Sequence, residues 1–198
     1  MFRLLLLLSL LLLLVMMSES LNIFSSMGGS INAANTPCPL LPPPVLSSEI
    51  QTIDLCMGWF WTPEYEFDRI PGILKVTVGY AGGATPYPTY KSIQDYTEAL
   101  RIEYDTRVLT LEDVLENFFL MQAGGPTYPP YSRQYRSVIL YHNEEQKSIA
   151  EKITNTMIKI RKGKKVYVDI EPATDFYRAE EYHQKYKEKA SSSRNLWY

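Results

Sequence analysis

Residues 52–69 read TIDLCMGWFWTPEYEFDR. Thr52 to Met57 is apolar enough to predict a buried strand, and Phe60 to Arg69 has the pattern of a short helix. Pro63 falls in the first turn of that helix, where a missing N–H is tolerated, and Pro71-Gly72 ends it. A strand that leads directly into a helix is the first half of a βαβ unit.

The remaining elements follow from hydrophobic periodicity and capping residues. Strands are predicted at Ile73–Tyr80, Glu98–Tyr104, Arg136–Tyr141 and Val166–Ile170, and helices at Leu111–Met121, from Asn143 to about Arg161, and at Ala179–Lys189. The order strand–helix–strand–strand–helix–strand is that of the split βαβ unit. The sequence therefore predicts an α+β fold, a split βαβ (ferredoxin-like) two-layer sandwich with helices on one face of a sheet.

The N-terminal part of the chain differs in composition from the rest. Arg3 precedes an apolar run and small residues follow it, which is the form of a secretory signal peptide over residues 1–20. Residues 21–49 are predicted to be a flexible linker rich in Pro, Gly and Ser, 50–190 the folded domain, and 191–198 a C-terminal tail. The signal predicts the secretory pathway or an extracellular location. An uncleaved anchor, which would attach the chain to a membrane, and a plastid route are the alternatives.

Charge and composition exclude several classes of function. The net charge of −2 gives no electrostatic reason to expect a nucleic-acid partner. The chain has two histidines, His142 and His183, and two cysteines, Cys38 and Cys56, without metal-ligand spacing. We therefore expect a monomer with no metal and no bound cofactor. An oxidising compartment would allow the cysteines to pair, and the alternative is two unpaired thiols.

Six motifs in order carry a resemblance to a known family. They are Gly58-x-Phe60-Trp61, Pro71-Gly72 to Val78-Gly79-Tyr80-x-Gly82-Gly83, Pro88-Thr89-Tyr90, Glu98-Ala99-x-Arg101-Ile102, Gln134-Tyr135-Arg136-Ser137 and Ala179-Glu180-x-Tyr182-His183-Gln184-x-Tyr186. From about Leu55 to Tyr186 the chain resembles peptide methionine sulfoxide reductase A, the family that reduces the S-epimer of methionine sulfoxide in proteins. The resemblance implies that family's type of split βαβ fold, oxidised methionine as the substrate, and a thioredoxin-type or other thiol reductant for an active member.

The resemblance also implies roles for individual residues. Glu98 matches the buried acid that gives a proton to the departing oxygen, with a pKa raised by desolvation. Tyr90 and Tyr135 match the two tyrosines that hold that oxygen through their O–H groups. Phe60 and Trp61 match the aromatic pair that cradles the methyl group on the sulfur. These five residues form the predicted substrate site.

Trp59 stands at the position of the family's nucleophilic cysteine. The family's chemistry needs a thiolate there, at the start of the first helix, where the helix dipole lowers the pKa of a cysteine. An indole cannot form the sulfenic acid intermediate. Cys56 is predicted to be a small buried residue of the strand rather than a substitute nucleophile. Some family members use selenocysteine, encoded by UGA, one base from the Trp codon, so a misread codon at position 59 is a further alternative.

Three functions stay open from the sequence. The first is peptide-methionine (S)-S-oxide reductase, in which methionine S-sulfoxide in proteins is reduced to methionine. The second is a non-catalytic module, a pseudoenzyme that binds methionine sulfoxide with the retained oxygen- and methyl-recognition residues. The third is a protein-interaction surface formed by the Tyr- and Pro-rich loops at residues 84–96 and 124–135.

Overall fold

The computed structural model describes residues 37–44, 46–122, 132–162 and 166–194, apart from the side chains of residues 193 and 194. The predicted signal peptide, the first part of the predicted linker and the end of the predicted tail lie outside these ranges. So does most of the Tyr- and Pro-rich loop at 124–135. Within the described ranges, no helix combines the length and the apolar character needed to cross a membrane.

The described residues form strands, helices and one short 3₁₀ turn. The strands are β1 (Ile50–Met57), β2 (Ile73–Ala81), β3 (Thr97–Asp105), β4 (Ser137–Tyr141), β5 (Asp169–Pro172) and β6 (Tyr177–Arg178). The helices are α1 (Trp61–Phe67), α2 (Leu111–Met121), α3 (Glu144–Ile160) and α4 (Tyr186–Arg194), and the 3₁₀ turn is Arg133–Tyr135. Thr110 and Asn143 cap α2 and α3 with side-chain oxygens that accept backbone N–H groups.

The strands form one sheet in the order β5-β4-β1-β3-β2-β6. Neighbouring strands are antiparallel, apart from β4 and β5, which are parallel. Strand β3 lies between β1 and β2, the two strands that α1 connects, so the first strand–helix–strand unit is split by a third strand. This order confirms the predicted α+β, split βαβ fold.

The two faces of the sheet are covered differently. Side chains alternate along a strand, so Ile53 and Leu55 of β1 point to the face on which α2 and α3 pack, in the larger core. Cys56 points to the opposite face, where it packs in a smaller core with Leu140 and Phe176. The helices therefore lie on one face, as predicted, and extended segments cover the other.

Residues 37–44 pack on the sheet, whereas the sequence predicts a free linker up to residue 49. The Leu41 N–H donates to the Phe176 carbonyl at 2.9 Å, and the Arg178 N–H donates to the Pro39 carbonyl at 2.9 Å. Prolines lack a donor but keep an acceptor, so a Pro-rich strand still pairs along an edge. Composition alone therefore places the start of the folded unit too late.

Helix α4 begins at Tyr186, later than the predicted helix Ala179–Lys189. The side chain of Gln184 accounts for the difference. Its Oε1 accepts the Val78 N–H at 3.2 Å and its Nε2 donates to the Val78 carbonyl at 2.9 Å, which ties the segment to β2. Lys185 then takes φ 52°, outside the right-handed helical region, before the helix starts.

Two further differences lie at the edges of the sheet. Strand β5 spans Asp169–Pro172 instead of Val166–Ile170, in parallel register with β4. Strand β6 was not predicted, because a strand of two residues has no periodicity to detect. Both lie outside the four central strands, so they do not change the fold class.

A buried ion pair crosses the face of the sheet opposite the helices. Asp54 on β1 is 0% exposed, and Arg101 on β3 donates to both of its carboxylate oxygens, at 2.9 and 2.8 Å. A third nitrogen of Arg101 donates to the Pro42 carbonyl at 3.2 Å. The pair thus joins two central strands and also holds the Pro-rich segment on the sheet.

We expect Arg101→Leu to lower the free energy of unfolding by about 3–5 kcal/mol, because the Asp54 carboxylate then stays buried without its cation. Urea unfolding followed by circular dichroism measures the loss. Arg107→Leu is the matched control, since Arg107 pairs with Asp105 at the surface and its loss should have little effect. Equal losses in the two variants would contradict this account of the Asp54 pair.

Candidate functional site

Trp59 lies in the turn between β1 and α1. Gly58 before it has φ 83°, a left-handed conformation that glycine adopts without strain. The Trp59 side chain is 66% exposed. Its ring meets that of Tyr135 edge-on, with centroids 6.3 Å apart and planes at 71°. Trp59, at the predicted nucleophile position, therefore presents an exposed indole ring beside Tyr135.

Glu98 is a carboxyl group on β3 that is only 2% exposed. Its Oε2 accepts the Phe60 N–H at 3.2 Å, and its Oε1 accepts the side-chain amide of Gln134 at 2.9 Å. Burial raises the pKa of Glu98, and these two hydrogen bonds lower it by less. A buried carboxyl fixed from both sides, with a raised pKa, is suited to give a proton to a bound group.

Tyr90 and Tyr135 approach Glu98 from two separate loops. Tyr135 ends the 3₁₀ turn directly after Gln134, whose amide holds the carboxylate. The Tyr90 ring packs on His183, with centroids 4.5 Å apart. Burial, and then the negative charge of Glu98, raise the pKa of Tyr90, so its phenol keeps its proton. The structure thus places Tyr135 next to the residue that holds Glu98, and Tyr90 close enough to Glu98 for that charge to act on its phenol.

Phe60 and Trp61, the predicted methyl-binding pair, differ in exposure. Phe60 is 1% exposed, and its ring packs between those of Tyr80 and His183, with centroids 6.1 and 5.2 Å away. Trp61 is half-buried and stacks on Tyr186, with centroids 4.2 Å apart and planes at 16°. Of the two rings only that of Trp61 is partly exposed, whereas Phe60 lies in the core.

His183 orients the aromatic side of the site. It is 1% exposed, and its Nδ1 accepts the indole N–H of Trp61 at 3.1 Å. Burial lowers the pKa of His183, which favours the neutral ring that this hydrogen bond needs. The rings of Tyr90 and Tyr182 pack against it. His183 thus holds the rings of Trp61 and Tyr90 in place.

Glu180 holds the segment that carries Tyr90, and it was not among the predicted site residues. Its Oε1 accepts the backbone N–H of Tyr90 at 2.9 Å, and its Oε2 accepts the hydroxyl of Tyr80 at 2.8 Å. Burial raises the pKa of Glu180, but the hydrogen bonds outweigh burial, and the net effect lowers the pKa. The carboxylate stays charged and fixes the backbone that carries Tyr90. The only signal in the sequence was its place in the motif at 179–186.

Neither cysteine is placed to act where Trp59 stands. Cys56 is 0% exposed in the core of the opposite face, and burial raises the pKa of its thiol. Cys38 is 2% exposed beside Glu180, where burial and that negative charge raise the pKa of the thiol to about 12. Both are unpaired and lie in different cores, so the expectation for Cys56 is confirmed. The thiolate is the reactive form, and both environments disfavour it.

The arrangement offers hydrogen-bond donors on one side and ring surface on the other. Protonated Glu98 and the phenols of Tyr90 and Tyr135 are hydrogen-bond donors, and such donors stabilise negative charge that develops on an oxygen atom. Trp59 and Trp61 add apolar ring surface, Trp59 next to Tyr135 and Trp61 next to His183. Among the described residues, no group of three His, Cys, Asp or Glu side chains is arranged to hold a metal ion.

Comparisons with known sequences match most of the chain. A family model described as peptide methionine sulfoxide reductase matches residues 51–197. The peptide methionine sulfoxide reductase of Drosophila melanogaster is 41% identical over 131 residues, covering 66% of this chain and 53% of that protein. The peptide methionine sulfoxide reductase MsrA of Sulfolobus acidocaldarius is 40% identical over 144 residues, covering 67% of this chain and 78% of that protein. The chain thus spans about half of the fruit-fly relative and most of the archaeal one.

Solved structures agree with the sequence comparisons. Mxr1 from Saccharomyces cerevisiae in reduced form has a TM-score of 0.65 and 28% identity, covering 77% of this chain and 90% of that chain. Mxr1 in complex with Trx2 has a TM-score of 0.52 and 26% identity, covering 73% of this chain and 89% of that chain.

Proposed function

We propose that this chain, which belongs to the peptide methionine sulfoxide reductase family, acts on methionine S-sulfoxide in proteins. The relatives that it matches are named peptide methionine sulfoxide reductase, and reduction of the S-sulfoxide to methionine is the main function proposed. The observation that carries the proposal is Glu98, a buried carboxyl with a raised pKa that is held by the Phe60 N–H and by Gln134, the residue before Tyr135.

Each side of the sulfoxide has a matching surface in this site. The oxygen accepts hydrogen bonds from protonated Glu98 and from the hydroxyls of Tyr90 and Tyr135. These donors bind more strongly as the S–O bond weakens and the oxygen gains negative charge. The methyl group packs against the ring of Trp61, which Phe60 supports from below.

Reduction also needs a thiol at the sulfur. A thiol that attacks the sulfur takes over the oxygen as a sulfenic acid and leaves methionine, and two further thiols then release water and form a disulfide. Trp59 stands where that thiol is expected, and the described cysteines are buried elsewhere. Binding of the sulfoxide without reduction is therefore the second candidate function, and the exposed indole of Trp59 is the observation that motivates it.

Calorimetry on the full chain tests the shared first step, which is binding. We expect a peptide with methionine S-sulfoxide to bind at least about 10-fold more tightly than the same peptide with methionine, because the buried donors lose their acceptor in the second case. Tyr135→Phe is the matched variant, since it keeps the ring against Trp59 and removes one O–H. It should weaken binding about 3- to 10-fold. No heat at millimolar peptide would overturn the proposal.

The codon for residue 59 tests the misreading alternative. A UGG codon removes it, whereas a UGA codon, together with selenium in the purified protein, would place a selenol at the start of α1. The mass of the tryptic peptide that contains residue 59 distinguishes the two chemically.

A thioredoxin-type reductant and the secretory route complete the proposal. The yeast structure of Mxr1 with Trx2 supports a thioredoxin-type reductant for an active form of this chain.

The Leu-rich N-terminus supports the secretory route. N-terminal sequencing of the secreted protein would test it, and a cleavage site near residue 20 is the expected result.

A further inference from the structure

A hollow of about 420 Å³ opens on the side of Trp59 near helices α1 and α2. It is lined by Met57, Trp59, Thr62, Pro63, Glu66 and Met121. Met57 ends β1, Met121 ends α2, and Thr62 and Glu66 lie one turn apart on α1. We refer to this space as the flanking hollow.

The flanking hollow is separate from the sulfoxide site but adjacent to it. Glu98, Tyr90 and Tyr135 do not line it, whereas Trp59 lines it and also meets the ring of Tyr135. The Trp59 and Tyr135 rings are 6.3 Å apart, and an extended peptide covers about 7 Å in two residues. A side chain one or two positions from a methionine sulfoxide bound beside Tyr135 can therefore pass Trp59 and enter the flanking hollow.

The walls of the flanking hollow are apolar and its edge carries one free charge. Met57, Met121 and Pro63 offer flexible or flat apolar surface, and Trp59 offers the face of an indole. Glu66 is exposed, and within the described ranges its carboxylate has no ion-pair or hydrogen-bonding partner. A lysine or arginine side chain has a long aliphatic stem and a terminal cation. The apolar walls of the flanking hollow suit the stem, and the carboxylate of Glu66 at its edge suits the cation.

We propose that the flanking hollow binds a lysine or arginine side chain one or two residues from the methionine sulfoxide in the substrate protein. The aliphatic stem packs on Met57 and Met121. The cation lies near Glu66 and against the face of Trp59, to which a cation is attracted. This inference rests on the proposed function and adds a sequence preference to it.

A charge exchange between protein and peptide tests the inference. The ligands are methionine S-sulfoxide peptides with Lys, Glu or Leu at each position within two residues of the sulfoxide, titrated into the full chain by calorimetry. At the best position we expect Lys to bind about 5-fold more tightly than Glu, the size of an exposed ion pair. In Glu66→Lys the order of the Lys and Glu peptides should reverse.

The control variant is Glu151→Lys, which makes the same charge change at an exposed position of α3 outside the flanking hollow. The preference for Lys should persist in that variant. The inference would be overturned if Glu66→Lys still bound the Lys peptide more tightly than the Glu peptide. It would also be overturned if Glu151→Lys reversed the order of the two peptides as Glu66→Lys does. If the Leu peptides bound more tightly than both the Lys and the Glu peptides, and the Lys and Glu peptides bound equally, the inference would be overturned and the proposed function would be unaffected. Failure of every sulfoxide peptide to bind would overturn both.

Discussion

Trp59→Cys is expected to reduce a methionine S-sulfoxide peptide at least about 10²-fold faster than the unaltered chain, with dithiothreitol as the reductant. The acid that the reaction needs is already in place, because Glu98 is buried, held by the Phe60 N–H, and has a raised pKa. A positioned acid contributes about 10²–10⁴ to such a rate. Trp59 is 66% exposed, so a cysteine there would be open to substrate and to reductant. Mass spectrometry of the methionine product measures the rate.

Trp59→Ser is the matched control, because it opens the same space without a thiol and should stay at the rate of the unaltered chain. Residues 37–44 should be kept in all variants, since they pack on the sheet. Turnover by the unaltered chain as fast as by Trp59→Cys would support reduction, the main proposed function, for the chain with Trp59, and would contradict the inference that Cys38 and Cys56 are too deeply buried to react. If Trp59→Cys binds the peptide but does not reduce it, residue 59 does not face the sulfur.

The central fold was predictable because its signals are local. Helices α2 and α3 each combine a capping side chain, Thr110 or Asn143, with hydrophobic periodicity over several turns. The four central strands are long enough for their apolar pattern to be detected. The order of these elements along the chain then leaves few topologies, and the split βαβ arrangement is the one observed.

The parts that differ from the prediction depend on contacts between distant residues. Gln184 holds its segment to Val78, 106 residues away along the chain, and so delays the start of α4. The Pro-rich segment is ordered by the edge strand and by Arg101, whose bond to Pro42 spans 59 residues. Local propensity contains no information about such partners, and tertiary contacts override it.

The site shows the same division between local and distant signals. Strand alternation alone placed Cys56 on a buried face, and the structure confirms it. Pattern alone would make Glu98 a solvated strand residue, and only the resemblance marked it. Glu180 could not be found from spacing, because its partners Tyr80 and Tyr90 lie 100 and 90 residues away and a single sequence does not show that they meet.

The pH dependence of Trp59→Cys should depend on Glu98. The introduced thiol attacks as thiolate, so the rate rises with pH through the pKa of that thiol. Glu98 acts in its protonated form, so the rate falls as pH rises through its pKa, which burial raises above the ordinary value of 4.5. Since both conditions apply, the profile should be bell-shaped.

Adding Glu98→Gln to Trp59→Cys should lower the maximal rate by about 10²–10⁴-fold and remove the falling limb of the profile. The remaining rate should only rise with pH, following the fraction of the thiol present as thiolate.

Loss of folding is not expected to cause the lower rate of the Glu98→Gln variant. When folding raises the pKa of a carboxyl group, the free energy of unfolding falls as the pH rises from the pKa of the unfolded state to that of the folded state. A Gln side chain does not ionise, so the Gln variant does not lose this stability. Thermal unfolding at neutral pH should therefore show the Gln variant to be at least as stable. A double variant that keeps its rate within about 3-fold, with the same bell-shaped profile, would show that the proton comes from another group, because a working acid accounts for at least about 10²-fold.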